Sequence, residues 1–455
     1  MLTKTIDYAT ASAGGLAKAL AAGDVSALDL CDEAIRTIEA KDGPINAVVV
    51  RDFDRAREAA KAADAALASG QRAPLLGVPM TVKESMRILG LPSTWGYEQF
   101  KGWMPNFEGP PVTRLKAAGA VILGKTNVPP GLADWQSANP IYGRTNNPHD
   151  LSRSPGGSSG GSAAALAAGM VPLEIGTDIG GSIRVPAHFC GVFGHKPTAK
   201  LVPAWGGAPP PVTEPGPAQE LSVAGPMART ASDLALAMSV IAGPDGDEVK
   251  AYRLELPKPR HARLGDYRVL VLTDHPCCAT DDEVKGVVEG AAAAMAKAGA
   301  KVAHASQLLP DLAATHRHYM PMLNTSMSRG RPNAKPVDAH AWMNLLAAQH
   351  TLRRRWAALF EAFDVVLAPP FGTPAFPHMD GASMDSARLV VNGRDTAYGD
   401  QLAWLGAVTF PGLPATAAPV GRSRAGLPIG VQIIGPFLED LTPIAVAGLL
   451  ARAMM

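Results

Sequence analysis

The chain has 455 residues, 47% hydrophobic and 18% charged, with a formal net charge of +1, which describes a globular protein with ample core and no bulk attraction to polyanions. Its single basic run, Arg353-Arg354-Arg355, reads as the solvated face of a helix, so no nucleic-acid partner is expected. Cys31, Cys190, Cys277 and Cys278 are too few and too irregular for a disulfide framework or a zinc site, no apolar run reaches the roughly 18 residues of a membrane span, and residues 1–20 lack the apolar core of a signal peptide. A cytoplasmic protein with no metal and no cofactor is the expectation.

In chain order, residues 26–41 (SALDLCDEAIRTIEAK) carry apolar positions at helical spacing behind a serine N-cap. Residues 47–50 (AVVV) predict a strand, and 54–70 a helix closed by Gly70. An extended run, GVPMTVKES (77–85), precedes a helix through VTRLKAAG and a strand at 120–126 (AVILGKT). Another strand is expected at 170–178 (MVPLEIGTD), followed by glycines and a short helix. The strand YRVLVLT (267–273), a helix after Asp282, FDVVLAP (363–369) and LPIGVQIIG (427–435) continue the alternation. Nearly continuous apolar strands alternating with helices predict an α/β fold, with helices on both faces of the sheet. Residues 203–217 are rich in Pro and Gly and read as a surface loop, so the chain 1–455 is taken as a single domain.

Two short motifs match in spelling only. GAVILGKT (119–126) has the P-loop order, which would make the chain an ATP-binding protein, a rival from another functional class. Its middle residues make a strand rather than a phosphate cradle, and the two prolines after it oppose a helix. Gly156-Gly157-Ser158-Ser159-Gly160 has the nucleophile-elbow order, but the preceding NNPHDLSRSP is polar and turn-like where an apolar strand is needed. His316 and His318 lack a third ligand nearby and read as helix-surface residues. Cys190, in AHFCGVFG, has the apolar setting of an inert thiol.

A longer match is far more specific. From Gly156 to Thr198 the chain reads GGSSGGSAAALAAGMVPLEIGTDIGGSIRVPAHFCGVFGHKPT, which closely resembles the amidase signature family. The likeness extends upstream to GVPMTVKES and GAVILGKTNVP, and downstream to GPMARTASDLALAMSVIAGPD, FDVVLAPP and GLPIGVQIIGP, nearly the whole chain. It implies an α/β/α sandwich with a mixed, twisted central sheet. It also implies a Ser–cis-Ser–Lys triad: Ser182 as nucleophile, Ser158 after a cis peptide bond, and Lys83 as base. By the same resemblance the amides of Ile179, Gly180, Gly181 and Ser182 form the oxyanion hole. Asp178 and Arg184 pair to brace that hole, and Ser159 hydrogen-bonds within the triad.

A lysine base must be neutral, and burial lowers a lysine pKa from its free value near 10.4. The turn TDIGGS, following a strand and opening a helix, converges backbone N–H groups where negative charge develops. Trp135, in TNVPPGLADWQSANPIYG, is a candidate wall of the acyl pocket beside a plain core role. The resemblance implies hydrolysis of C–N bonds in small, largely neutral acyl compounds, extending to esters or carbamates. Aryl acylamidase and urethanase specialisations are the alternatives, and a tRNA-dependent amidotransferase A-type subunit is disfavoured because no polar set for glutamine is visible. The oligomeric state stays open, a homodimer included.

Overall fold

Alternate residues along the central strands divide between two cores. In Arg268–Val271 and its neighbour Val365–Ala368, the side chains of Val269, Val271, Val365 and Leu367 enter one core, while Leu270, Val366 and Ala368 enter the other. That period of two is what a strand imposes, and apolar residues at both phases require cover on both faces. Helices Ala27–Ile45, Ala231–Ile241, Asp282–Lys297 and Leu441–Met454 pack on the first face; Leu312–Met327, Ala339–Ala362 and Leu402–Thr409 pack on the second. The structure, a computed structural model, describes residues 7–328, 334–381 and 384–454. Residues 1–6 of the N-terminal stretch therefore lie outside the described residues.

From edge to edge the eleven-stranded sheet runs Val48–Arg51, Val121–Thr126, Pro79–Lys83, Leu173–Asp178, Val223–Ala228, Phe193–Lys196, Ala415–Arg422, Pro428–Ile434, Val365–Ala368, Arg268–Val271 and Lys301–Ala303. Val121–Thr126, Pro79–Lys83 and Leu173–Asp178 are mutually parallel, as are the last three strands; the centre and the first edge pair antiparallel. This is the mixed α/β sheet expected. Helix Ala27–Ile45 starts as predicted, with the Ser26 side chain accepting from Asp29 N at 3.0 Å.

The basic run lies on helix Ala339–Ala362 with Arg354 and Arg355 exposed, as expected, but Arg353 turns inward: its guanidinium lies 4.2 Å from the Phe437 ring centre and its Nε donates to the Pro411 carbonyl. The P-loop spelling does form a strand, Val121–Thr126, and buried Lys125 turns its ammonium to the Pro92 carbonyl and to Ser93 Oγ at 2.6 Å. That lysine is spent within the chain rather than held out to a phosphate.

What matters for chemistry is where strands Pro79–Lys83 and Leu173–Asp178 end. They are neighbours in register, Val82 opposite Ile175, so their carboxyl ends deliver Lys83, Thr177 and Asp178 to one edge of the sheet. Carboxyl ends of adjacent parallel strands are where open α/β sheets place ligand sites.

Candidate active site

Lys83 is the last residue of its strand and fully buried. Its Nζ lies 2.6 Å from Ser158 Oγ and 2.8 Å from Thr177 Oγ1. Burial lowers its pKa to about 7, against the opposing pull of the Asp178 and Glu174 charges. Glu174, on the strand alongside, is itself pushed up to about 7 by burial, although the hydroxyls of Thr81, Thr126 and Ser162 favour its charged form. The lysine can therefore exchange a proton near neutral pH, which a solvated lysine cannot.

Ser158 follows a cis Gly157–Ser158 peptide bond, as the resemblance implied. The segment passes against Asp134 and Gln136: a Cβ on Gly157 would fall inside contact of both their carbonyl oxygens, so only glycine fits. Helix Gly160–Ala167 then carries the chain away.

The turn after Asp178 supplies the backbone donors. Burial pushes the Asp178 carboxyl up, but Arg184 outweighs it and holds the pKa at about 2. Arg184 donates to it from Nε at 3.0 Å and Nη2 at 2.8 Å, both groups fully buried. The same carboxylate accepts from Ile183 N at 3.1 Å and Gly181 N at 2.9 Å. The expected brace is present, but it removes one expected donor: the Gly181 amide is already committed to Asp178. Gly180 N and Ser182 N have no hydrogen-bond partner among the described residues, and Ile179 lines the cavity beside them. Helix Arg184–Cys190 begins two residues beyond Ser182, so these amides belong to the turn and not to a helix terminus.

The turn is aimed by its carbonyls. In a trans peptide the C=O and the following N–H point to opposite sides. Tyr319 Oη donates to Ile179 O, Trp135 Nε1 to Gly180 O and Val185 N to Gly181 O, each at 2.8 Å. Holding these three carbonyls fixes the direction of the Gly180, Gly181 and Ser182 amides.

Trp135 therefore does not wall the pocket. It is 2% exposed, packed edge-on against Phe371 and Tyr398 with ring centres 4.9 Å away, because a bulky ring with one polar tip fits a core that offers one free carbonyl. The Ser159 hydroxyl also misses the triad. It lies 3.4 Å from both Thr177 O and Thr177 N, and it is the Ser159 amide that reaches Ser182 O at 3.1 Å.

Ser158, Thr177, Ile179 and Ser182 open into one cavity whose other walls are mostly apolar, among them Met86, Trp95 and Leu132. The Ser182 side chain faces it without a hydrogen bond among the described residues. The Pro/Gly-rich loop is more than surface: Ala204 to Gly207 line this cavity, and Trp205 packs on Phe107 with ring centres 6.0 Å apart. Cys190 is buried, and burial pushes its thiol up, which keeps it inert. Sequence reasoning missed Thr177, although it stands inside the quoted TDIGGS run, and Tyr319, which no local pattern ties to a turn 140 residues earlier.

The comparisons bear on the family and the fold. The family model described as Amidase matches residues 29–330 and 314–442. The A-type subunit of the glutamyl-tRNA(Gln) amidotransferase of Roseiflexus castenholzii is 33% identical, over 92% of this chain and 91% of that relative. Among solved structures, a bacterial aryl acylamidase of the amidase signature enzymes superposes with TM-score 0.82 at 26% identity, covering 98% of this chain and 96% of that one. A 6-aminohexanoate cyclic dimer hydrolase gives TM-score 0.80 at 25% identity, with 99% and 98% covered.

Proposed function

Since the chain belongs to the amidase signature family and is therefore an amide C–N hydrolase, we propose that it cleaves small acyl amides through an acyl-enzyme on Ser182, with esters or carbamates taken on the same site. Lys83 is the base and Ser158 the relay. The Ser182 proton passes to Ser158 as the Ser158 proton passes to Lys83, and Ser182 Oγ adds to the carbonyl carbon. The oxygen that gains the charge is received by the amides of Ile179, Gly180 and Ser182. The proton returns through Ser158 to the leaving nitrogen, the C–N bond breaks and the amine departs. Water then repeats the sequence on the ester, releasing the acid and restoring Ser182.

The observation that carries this reading is the 2.6 Å contact between Lys83 Nζ and Ser158 Oγ, made by a lysine whose pKa burial holds at about 7. A fluorophosphonate probe followed by peptide mapping tests it. The label is expected on Ser182; a label on Ser158, Ser159 or a distant serine would overturn the assignment. A role as an amidotransferase component is the second reading, favoured by the 33% identity to such a protein. A screen over aliphatic amides, anilides, p-nitrophenyl esters, aryl carbamates and glutamine separates the two, since turnover confined to glutamine would support the amidotransferase role.

A further inference from the structure

One wall of the cavity carries hydrogen-bond donors with nothing to bind. Ser85 Oγ, Arg87 Nε, Arg87 Nη1 and Trp95 Nε1 are buried without a partner, and all three residues line the cavity that holds Ser158 and Ser182. Arg87 is 3% exposed. Its guanidinium lies over Phe107 at 4.4 Å and Trp103 at 5.1 Å, and its hydrogen bond runs from Nη2 to Ala208 O at 3.0 Å.

No carboxylate among the described residues answers it. Glu84, three residues upstream, is occupied by Thr94 N, Thr94 Oγ1 and Trp95 N, while Glu108 pairs with Lys116. Among the described residues that line the cavity, Arg87 is the one charged side chain. A buried guanidinium with two unpaired nitrogens is unfavourable unless something else completes its shell. Arg87 lines the same cavity as Ser158 and Ser182, so a group in that cavity is placed to complete it.

We propose that Arg87, with Ser85 and Trp95, binds a carboxylate of the substrate, so that the amides this enzyme prefers are carboxylate-bearing acyl compounds rather than largely neutral ones. The inference rests on Ser182 being the nucleophile of this cavity. The chemistry selects an anion: a planar guanidinium matches the two oxygens of a carboxylate, and an indole N–H and a hydroxyl add donors around it. An ammonium would meet Arg87 as a like charge, and a neutral alkyl group would leave every donor unpaired.

The test uses the intact enzyme and p-nitroanilides of malonic, succinic and glutaric half-acids, each beside an isostere whose carboxylate is replaced by an isopropyl group. For at least one chain length the half-acid should be preferred in kcat/KM by about 10-fold or more, and Arg87→Gln should bring that ratio close to one, chiefly through KM. A second measurement needs no variant. Succinate or glutarate should inhibit hydrolysis of p-nitrophenyl acetate by the wild-type enzyme competitively, and the corresponding diamides should not. Preference for the isopropyl isosteres at every length, a ratio unmoved in Arg87→Gln, or equal inhibition by diacid and diamide would each overturn the proposal. Neutral-ester turnover that disappears once the probe has labelled Ser182 would show that the hydrolase reading stands even if the carboxylate site fails.

Discussion

Two influences on Lys83, proposed as the base, pull against each other. The lysine must be buried to lose its proton near neutrality, yet Glu174 and Asp178 lie close enough to favour the charged form. Its lowered pKa of about 7 fixes the sign of the pH dependence: below that value the amine is protonated and cannot act as base, above it the amine is free. The rate constant kcat/KM should therefore fall as pH drops through about 7 and level off above it. Lys83→Arg should be nearly inactive at every pH, because a guanidinium keeps its proton. A pH profile flat from about 6 to 9, or an active Lys83→Arg enzyme, would remove Lys83 from the base role. Sequence alone could not fix this value, because burial and the neighbours Thr177 and Glu174 come from a strand more than 90 residues away.

The turn from Asp178 to Ile183, proposed to hold the oxyanion, is readable in outline but not in its supports. Gly181, at φ +90°, is there because a Cβ would meet Leu405 Cδ2 at 2.5 Å and Val185 Cγ2 at 2.8 Å. What aims the amides is Trp135 and Tyr319, distant in sequence, through the Gly180 and Ile179 carbonyls. Tyr319→Phe, which releases the carbonyl that aims the free Gly180 amide, should lower kcat about 5- to 10-fold with little change in KM, the scale of one lost buried hydrogen bond acting on the transition state. Trp135→Phe, which releases the carbonyl before the Gly181 amide already bound to Asp178, should lower kcat less. A rise in KM at unchanged kcat would make Trp135 a pocket wall after all. Among the sheet elements, the strands with apolar runs were legible and three central ones were not. Val223–Ala228 holds Pro226 opposite Ile175 in mid-sheet, where proline is usually excluded. Ala415–Arg422 is built largely on alanines, with only Thr416 and Val420 β-branched, and it bends at an irregularity between Pro419 and Gly421, so it shows no apolar run and no clean alternation.

At the scale of the molecule, Arg184 ties the signature block to the C-terminal part. Besides Asp178 it donates to Gln432 Oε1 at 2.8 Å, Thr409 Oγ1 at 2.9 Å and Leu405 O at 3.3 Å, all more than 200 residues away. Arg184→Met would leave Asp178 buried and unpaired, so stability should drop by about 3–5 kcal/mol in denaturant unfolding. The Asp178 pKa is depressed in the folded state, so its stabilising contribution is present above the unfolded value near 3.9 and is lost as pH falls through about 2. If these long-range bonds join the chain into one domain, calorimetry and near-ultraviolet dichroism should report a single transition. Two separable transitions would divide it. The family resemblance implies the Asp178–Arg184 pair, whereas the tie to Gln432 and Thr409 is visible only in the fold.

In the proposed mechanism Lys83 and Ser158 move a proton to the leaving group as well as from Ser182. An amide nitrogen cannot leave unprotonated, whereas p-nitrophenolate leaves without help, and the turn amides serve both reactions equally. The deciding measurement is kcat/KM for an anilide and a p-nitrophenyl ester with the same acyl group, in wild type, Lys83→Ala and Ser158→Ala. Both variants should lose about 10-fold or more additional activity on the anilide than on the ester. Equal losses on the two substrates would contradict the relay.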